Sequence, residues 1–216
     1  MAIKTYKRGA TTKLSKNFTA TEFDCEGSGC CKETVIDDKL VEILQKIRDH
    51  FGKPIGGSHL TAYRCPVHNE KVANAAKGSL HTKGMAADIS IEGVKPAEIA
   101  KYAESIGVKG IGLYDDFVHV DSRDYKSFWY GHQQEARETF GGNVFNLEFP
   151  VLRYGNRGEH VRALQILLKG RGYNVSSTGN FGEGTKTTVQ KFQKANKLTE
   201  NGVADEQTMR LLLGLK

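Results

Sequence analysis

Two short stretches of this 216-residue chain carry side chains whose types and spacing suit hydrolysis at a metal ion. The first reads Ser79-Leu80-His81-Thr82-Lys83-Gly84-Met85-Ala86-Ala87-Asp88. Gly84, followed by the alternation of Ala86 and Asp88 against Ala87 and Ile89, predicts a turn that enters a strand. Asp88 then lies among small and apolar residues, where a carboxylate is costly unless it is paired or metal-bound. The second stretch is Asp115-Asp116-Phe117-Val118-His119-Val120-Asp121. His119 falls inside an apolar strand, and alternation puts His119 and Asp121 on one face. A lone core histidine is usually just hydrogen-bonded. Two such places in one small domain, both with carboxylates, point instead to a two-histidine, one-carboxylate set with an open fourth position, a catalytic zinc arrangement. The expectation is one zinc ion held by His81, Asp88 and His119. Zinc lowers the pKa of bound water from ~15.7 to ~7. A carboxylate within hydrogen-bond reach then takes the water proton and passes it to the leaving amine. Asp116 and Asp121 both compete for that task. Asp121 shares the face of His119, whereas Asp116, at an odd offset, has to sit in the turn before the strand.

These residues need elements to hold them. An N-terminal cap at Asp37 or Asp38 and the apolar spacing of Leu40, Val41, Leu44 and Ile47 predict a helix that Gly52 and Pro54 end. A second helix is expected from Pro66 with Val67, Val72 and Ala76 inward, and a third from Pro96 with Ile99, Ala103 and Ile106 inward. Strands are predicted at 60–63, 86–91, 110–114 and 117–121. Residues 125–150 are aromatic, Gly-bearing and aperiodic, and read as a wrapping segment plus linker. From Val151 the pattern turns helical and weakly repeated. Val161, Leu164 and Leu168 form one apolar face and Val189 and Phe192 another, with Gln165 and Gln193 in similar places. A third helix over 205–213 closes this module. The fold class is therefore α+β, followed by a small all-α three-helix domain.

Composition narrows the function classes. The 38% hydrophobic content suits a packed core, and no stretch approaches the ~18 to 20 apolar residues of a membrane span. The net charge of +6 is unevenly placed: residues 151–216 hold 11 basic and 5 acidic side chains, and residues 1–150 hold 20 of each. A basic tail suits a polyanionic surface. With no Lys/Arg run and no recognition-helix pattern, a nucleic-acid partner is not expected. Cys25, Cys30 and Cys31 lie in the Gly-rich DCEGSGCC, and Cys65 follows Arg64. A metal or disulfide staple is one reading. Reduced thiols are preferred, because Cys-x4-Cys-Cys is not a standard zinc spacing. For His50, His59, His68, His132 and His160, structural or surface roles are expected.

HTKGMAAD followed by DDFVHVD resembles the zinc D-Ala-D-Ala carboxypeptidase and L-Ala-D-Glu endopeptidase family, which includes phage endolysins and shares its fold with the hedgehog signalling domain. Ser79, His81, Gly84, Ala86 and Asp88 match that pattern in order, and Asp116 stands three residues before His119. The resemblance, with TAYRCPVHN upstream, covers about residues 20–124. It implies a small antiparallel sheet with flanking helices, His81, Asp88 and His119 as zinc ligands, and Asp116 as general base and acid. Arg64 matches the family's substrate-contacting arginine, although Thr61-Ala62-Tyr63-Arg64 departs from Ser-Gly-Tyr-Arg. The tail, through RYGNRGEHVRALQILL, GNFGEGTKTTVQKFQ and NGVADEQTMRLL, resembles the three-helix peptidoglycan-binding domain. The implied organisation is a zinc peptidase domain over 1–124, a linker over 125–150 and a peptidoglycan-binding domain over 151–216. The expected protein is a monomer that acts on peptidoglycan and does not insert into membranes. Met1 to Ser15 is basic and polar without an apolar core, so the expectation is synthesis in the cytoplasm and action on the wall after a phage-type release. The alternative is a wall-binding protein with a vestigial zinc site.

Overall fold

The apolar spacing after Asp37 forms helix α1 (Asp38–Phe51), with Leu40, Val41, Leu44 and Ile47 buried. The Asp37 carboxylate accepts the Lys39 N–H at 3.2 Å, and Gly52 ends the helix with φ 63°. The computed structural model describes residues 2–56, 60–72, 75–131, 138–140 and 150–214. Ahead of α1, β1 (Ile3–Lys7) pairs antiparallel with β2 (Glu33–Asp37), Ile3 lying opposite Asp37. All of β1 is exposed except the half-buried Tyr6. This strand is held by its ladder, not by a buried face, so its sequence carries no alternation to read.

The chain divides into two compact units, Met1–Ile111 with Asp116–Lys126, and Gly112–Asp115 with Ser127–Lys216. In the first, β3 (Leu60–Thr61), β4 (Ala86–Ile89), β6 (Val118–Asp121) and β5 (Gly110–Leu113) follow one another across a sheet in the order β3-β4-β6-β5. The β4–β6 register puts Asp88 opposite His119, and the β3–β4 register puts Thr61 opposite Asp88. Helix α3 (Pro96–Ser105) turns Ile99, Ala100 and Ala103 inward and packs on β6.

The helix expected from Pro66 is a correction. It is a single turn, α2 (Pro66–Asn69), with Val67 51% exposed and Ala76 exposed as well. The polar run His68-Asn69-Glu70-Lys71 offers no apolar stripe beyond one turn, and propagation needs packing. Asn69 is the buried residue there, and its side-chain amide donates to the Ala76 carbonyl at 3.1 Å.

In the second unit the end of β5 is followed by β7 (Ser127–Tyr130) and β8 (Glu138–Phe140), with Phe128 opposite Phe140. Consecutive Ser127, Phe128 and Trp129 are all buried, so β7 shows no in–out alternation. Residues 132–137 and 141–149, including His132, lie outside the described residues, as does His59. The helical module consists of α4 (Glu159–Gly170), α5 (Glu183–Ala195) and α6 (Glu206–Leu212), built on the expected Val161, Leu164, Leu168, Val189 and Phe192. Among the described residues, no helix is long and apolar enough to cross a membrane.

Candidate metal centre

His81 lies in a short 3-10 helix (Leu80–Lys83) that Gly84 ends in the left-handed conformation, φ 68°. A Cβ on Gly84 would stand 2.2 Å from the Val35 carbonyl oxygen, and the Gly84 carbonyl accepts from the Asp37 N–H at 2.9 Å. No other residue fits this turn, which drops the chain from His81 directly into β4. Asp88 and His119 then meet as a cross-strand pair.

Three donor atoms converge. His119 Nδ1 lies 2.8 Å from Asp88 Oδ1, His81 Nε2 lies 3.3 Å from the same oxygen, and the two ring nitrogens are 3.2 Å apart. The opposite nitrogen of each ring is anchored outward. His81 Nδ1 donates to the Ala62 carbonyl at 2.7 Å, and His119 Nε2 donates to Asp121 Oδ2 at 3.1 Å. With those protons placed outward, both inward nitrogens present bare lone pairs, as does the carboxylate. Lone pairs this close repel unless a cation sits between them. Tetrahedral ligands at zinc distances of about 2.0–2.1 Å lie roughly 3.3 Å from one another, so the three residues fit a zinc ion. An outward N–H held by a carbonyl or carboxylate is also the usual setting of a metal-bound imidazole.

Without a metal ion the cluster instead favours a proton on His119 held against Asp88. Burial pushes the Asp88 carboxyl up, but His81 and His119 more than reverse it and hold the group well below the usual carboxylate range. Burial pushes His119 down, and Asp121 and Asp88 overcome it and raise the imidazole above its ordinary value. Asp121 itself is fully buried. Its oxygens accept Arg123 Nε at 2.7 Å, Arg123 Nη2 at 2.7 Å and the Arg123 backbone N–H at 3.1 Å, besides His119. Burial raises the Asp121 carboxyl, but His119 and Arg123 bring it down to about 2. Room for it comes from the next strand, since a Cβ on Gly110 would lie 2.0 Å from Asp121 Oδ1. Arg123 and Gly110 were not singled out from sequence. The charge two residues after Asp121 was the one available signal for Arg123.

The Ala62–Cys65 segment brackets His81. The Ala62 carbonyl takes the ring N–H, and the Arg64 N–H donates to the His81 carbonyl at 3.1 Å. The Arg64 side chain is buried, and its Nε has no hydrogen-bond partner among the described residues. Asp116 lies exposed in the turn between β5 and β6, outside the donor cluster. It borders an open cavity of about 450 Å³ with Ser90, Glu92 and Pro96, and none of the three donor residues lines that cavity. His50 is exposed and stacks on Tyr102 with ring centroids 3.7 Å apart.

Comparison with known proteins follows the same division. Residues 16–121 match the profile of the Peptidase M15 family, and residues 157–212 match that of a peptidoglycan binding domain. Over 95 residues the chain is 37% identical to the peptidoglycan L,D-endopeptidase MepK of Escherichia coli strain K12, covering 40% of this chain and 51% of that protein. It is 38% identical over 69 residues to the zinc D-Ala-D-Ala carboxypeptidase of Streptomyces albus G, covering 31% of this chain and 27% of that one. A crystal structure of the Burkholderia AP3 phage endolysin aligns at 31% identity and TM-score 0.29, over 30% of this chain and 25% of the endolysin. The chain thus spans about half the length, or less, of the curated relatives it matches.

Proposed function

We propose, for a chain that carries a peptidase M15 domain ahead of a peptidoglycan-binding domain, that it is a zinc-dependent peptidoglycan hydrolase that cuts stem-peptide bonds. The cleavage is of the L-Ala-D-Glu endopeptidase or D-Ala-D-Ala carboxypeptidase type. The observation that carries this reading is the convergence of His81 Nε2, Asp88 Oδ1 and His119 Nδ1 within 3.3 Å, each ring held from behind by an outward hydrogen bond.

The bound zinc would supply a polarised water and a Lewis acid. The remaining work falls to side chains. Asp121, locked by Arg123, fixes the tautomer and tilt of His119, and the Ala62 carbonyl does the same for His81. With its lone pairs taken and no exposure, Asp121 is poorly placed to shuttle protons. The base is Asp116, whose carboxylate is exposed in the turn three residues ahead of His119, where the family resemblance puts the acid. It takes the water proton and returns it to the leaving amine. Arg64, at the place of the family's substrate-contacting arginine, supplies the cation for a substrate carboxylate or the developing oxyanion.

The C-terminal module keeps the catalytic unit on its substrate and so raises the local concentration of scissile bonds. The protein works as a monomer on peptidoglycan, after release to the wall, without nucleic acid and without membrane insertion. Mass spectrometry of fragments released from defined peptidoglycan tests the reading and names the bond. Hydrolysis should stop with a chelator and return with zinc. A wall-binding protein with a vestigial site would instead retain sacculi and release no new amino groups.

A further inference from the structure

The four cysteines of this chain are brought to one place by segments far apart in sequence. Cys25, Cys30 and Cys31 lie on the loop between the 3-10 turn Ala20–Phe23 and β2, and Cys65 caps α2. One sulfur from each lies within 4.8 Å of the others, and all four are free thiols. Cys25 and Cys65 are buried and the other two half-buried. We infer that these residues form a second metal site, a tetrathiolate that binds a structural zinc ion independently of the His81–Asp88–His119 centre.

The distances suit the ion. Sulfurs at about 2.3 Å from a tetrahedral zinc stand roughly 3.8 Å apart. Cys30 Sγ lies 3.4 Å from Cys25 Sγ and 3.8 Å from Cys31 Sγ. The surroundings are built to receive negative sulfur. The Cys65 N–H donates to Cys25 Sγ at 3.4 Å, the His68 N–H donates to Cys65 Sγ at 3.4 Å, and Arg8 Nη1 reaches Cys31 Sγ at 3.8 Å. His68 Nδ1 lies 3.3 Å from Cys25 Sγ, a further polar contact from outside the cluster. Cys25 and Cys65 are thus prepared as thiolates, whereas burial pushes the Cys31 thiol up. The fourth, Cys30, is pushed up to about 12 by its bond to Cys65 and by burial, and it donates to the Gly27 carbonyl at 3.1 Å. A divalent cation displaces the protons of Cys30 and Cys31, as metal binding to thiols does. The spacing Cys-x4-Cys-Cys hid the site because its fourth member arrives through tertiary contact, 34 residues after Cys31.

The consequence reaches the catalytic unit. Cys65 follows Arg64 directly, and Ala62, two residues earlier, gives the carbonyl that holds His81. A zinc clip at Cys65 therefore fastens the segment that orients one proposed ligand and carries Arg64.

The test is metal content and cobalt spectroscopy on the full chain purified with reductant. The wild-type protein should hold two zinc ions per chain, and Asp88→Ala should keep one. Cobalt-substituted wild-type and Asp88→Ala proteins should both show thiolate-to-cobalt charge-transfer absorption, which Cys25→Ser with Cys65→Ser should lack. Zinc should also protect the thiols of folded Asp88→Ala from a thiol reagent. The inference is overturned if the thiols of wild-type and Asp88→Ala proteins react freely in the presence of zinc with no cobalt–thiolate band, or if mass spectrometry finds them as disulfides. Both readouts work without the double variant, so its misfolding leaves the test intact. A failure of the catalytic centre alone would remove the Asp88-dependent ion and leave the cobalt–thiolate band in place.

Discussion

The two units both bury polar side chains, and the amides of the helical module contrast with the side chains that converge in the sheet unit. In the helical module Gln165 is buried and its amide is fully used. It donates to the Asn180 carbonyl at 3.0 Å and to Thr185 Oγ1 at 2.9 Å, and it accepts the Gly179 N–H at 2.9 Å. Gln193 repeats this with the Val203 carbonyl, Thr208 and the Gly202 N–H. In the sheet unit the inward faces of His81, Asp88 and His119 aim three donor atoms for a cation at one point, and the buried Arg64 Nε has no partner among the described residues. A satisfied buried amide specifies a fold. Lone pairs aimed at one another must take up a proton or a metal ion, and a buried donor without a partner costs stability. The contrast separates scaffold from site inside one chain.

The largest break in this contrast comes from the converging side chains. Asp88→Ala or His81→Ala should lose the ion and reduce peptidoglycan hydrolysis by on the order of 10³-fold or more, since the metal contributes several kcal/mol to the transition state. Metal analysis and amino-group release read this together. Hydrolysis at the wild-type rate by a metal-free Asp88→Ala protein would remove the centre from the mechanism. Asp116→Asn should keep its zinc and lose about 10²–10⁴-fold in kcat, as the loss of a general base does.

Arg64→Met sharpens the comparison further. Removing an oxyanion donor costs on the order of 10²–10³ in kcat. Replacing an unsatisfied buried donor with an apolar chain of similar length should leave Tm unchanged or higher. A fall in rate with no fall in Tm marks a group held for its ligand. A matching fall in both would mark it as scaffold.

Asp121→Asn is expected to weaken zinc affinity by about 10–100-fold, because it unlocks the His119 ring and leaves Arg123 without its carboxylate. It also has a pH signature in the chelated protein. The Asp121 carboxyl is depressed to about 2 in the fold. It therefore stabilises the fold above the ordinary carboxylate pKa of about 4, and that contribution fades as pH falls toward 2. Asp88, also depressed, adds to the same acid limb. Urea unfolding across this range should show a shallower acid loss in Asp121→Asn than in the parent.

How much of this could be read from sequence depended on whether the signal was local. His81, Gly84 and Asp88 sit in one turn-and-strand segment, and His119 in one apolar strand, so local pattern marked each and the family resemblance joined them as one set. The amphipathic faces of α1, α3, α4 and α5 were equally local. What escaped reading arises across strands or loops. Arg123 closes on Asp121 only because Gly110 on the neighbouring strand leaves space. β1 has no buried face, and β7 buries consecutive residues, so neither shows a period of two. The Pro66 segment carried a valid start signal but no apolar stripe to propagate it, and Val67 ended exposed.

The smallest effect is expected in the module, and it is the control for the rest. Gln165→Leu keeps the volume and removes every bond of the amide. It strands the buried Gly179 N–H and takes one of two donors from the Asn180 carbonyl. Each buried group left unsatisfied costs about 1–3 kcal/mol, and the leucine recovers part of this through apolar burial. A net loss of about 1–2 kcal/mol, read as an earlier melting of the helical module, is the expected result. Zinc content should not change, and neither should the rate on a short soluble stem peptide. Hydrolysis of intact sacculi should fall with occupancy of the folded module. If the soluble-peptide rate drops as well, the two units do not divide scaffold and chemistry as their buried polar groups imply.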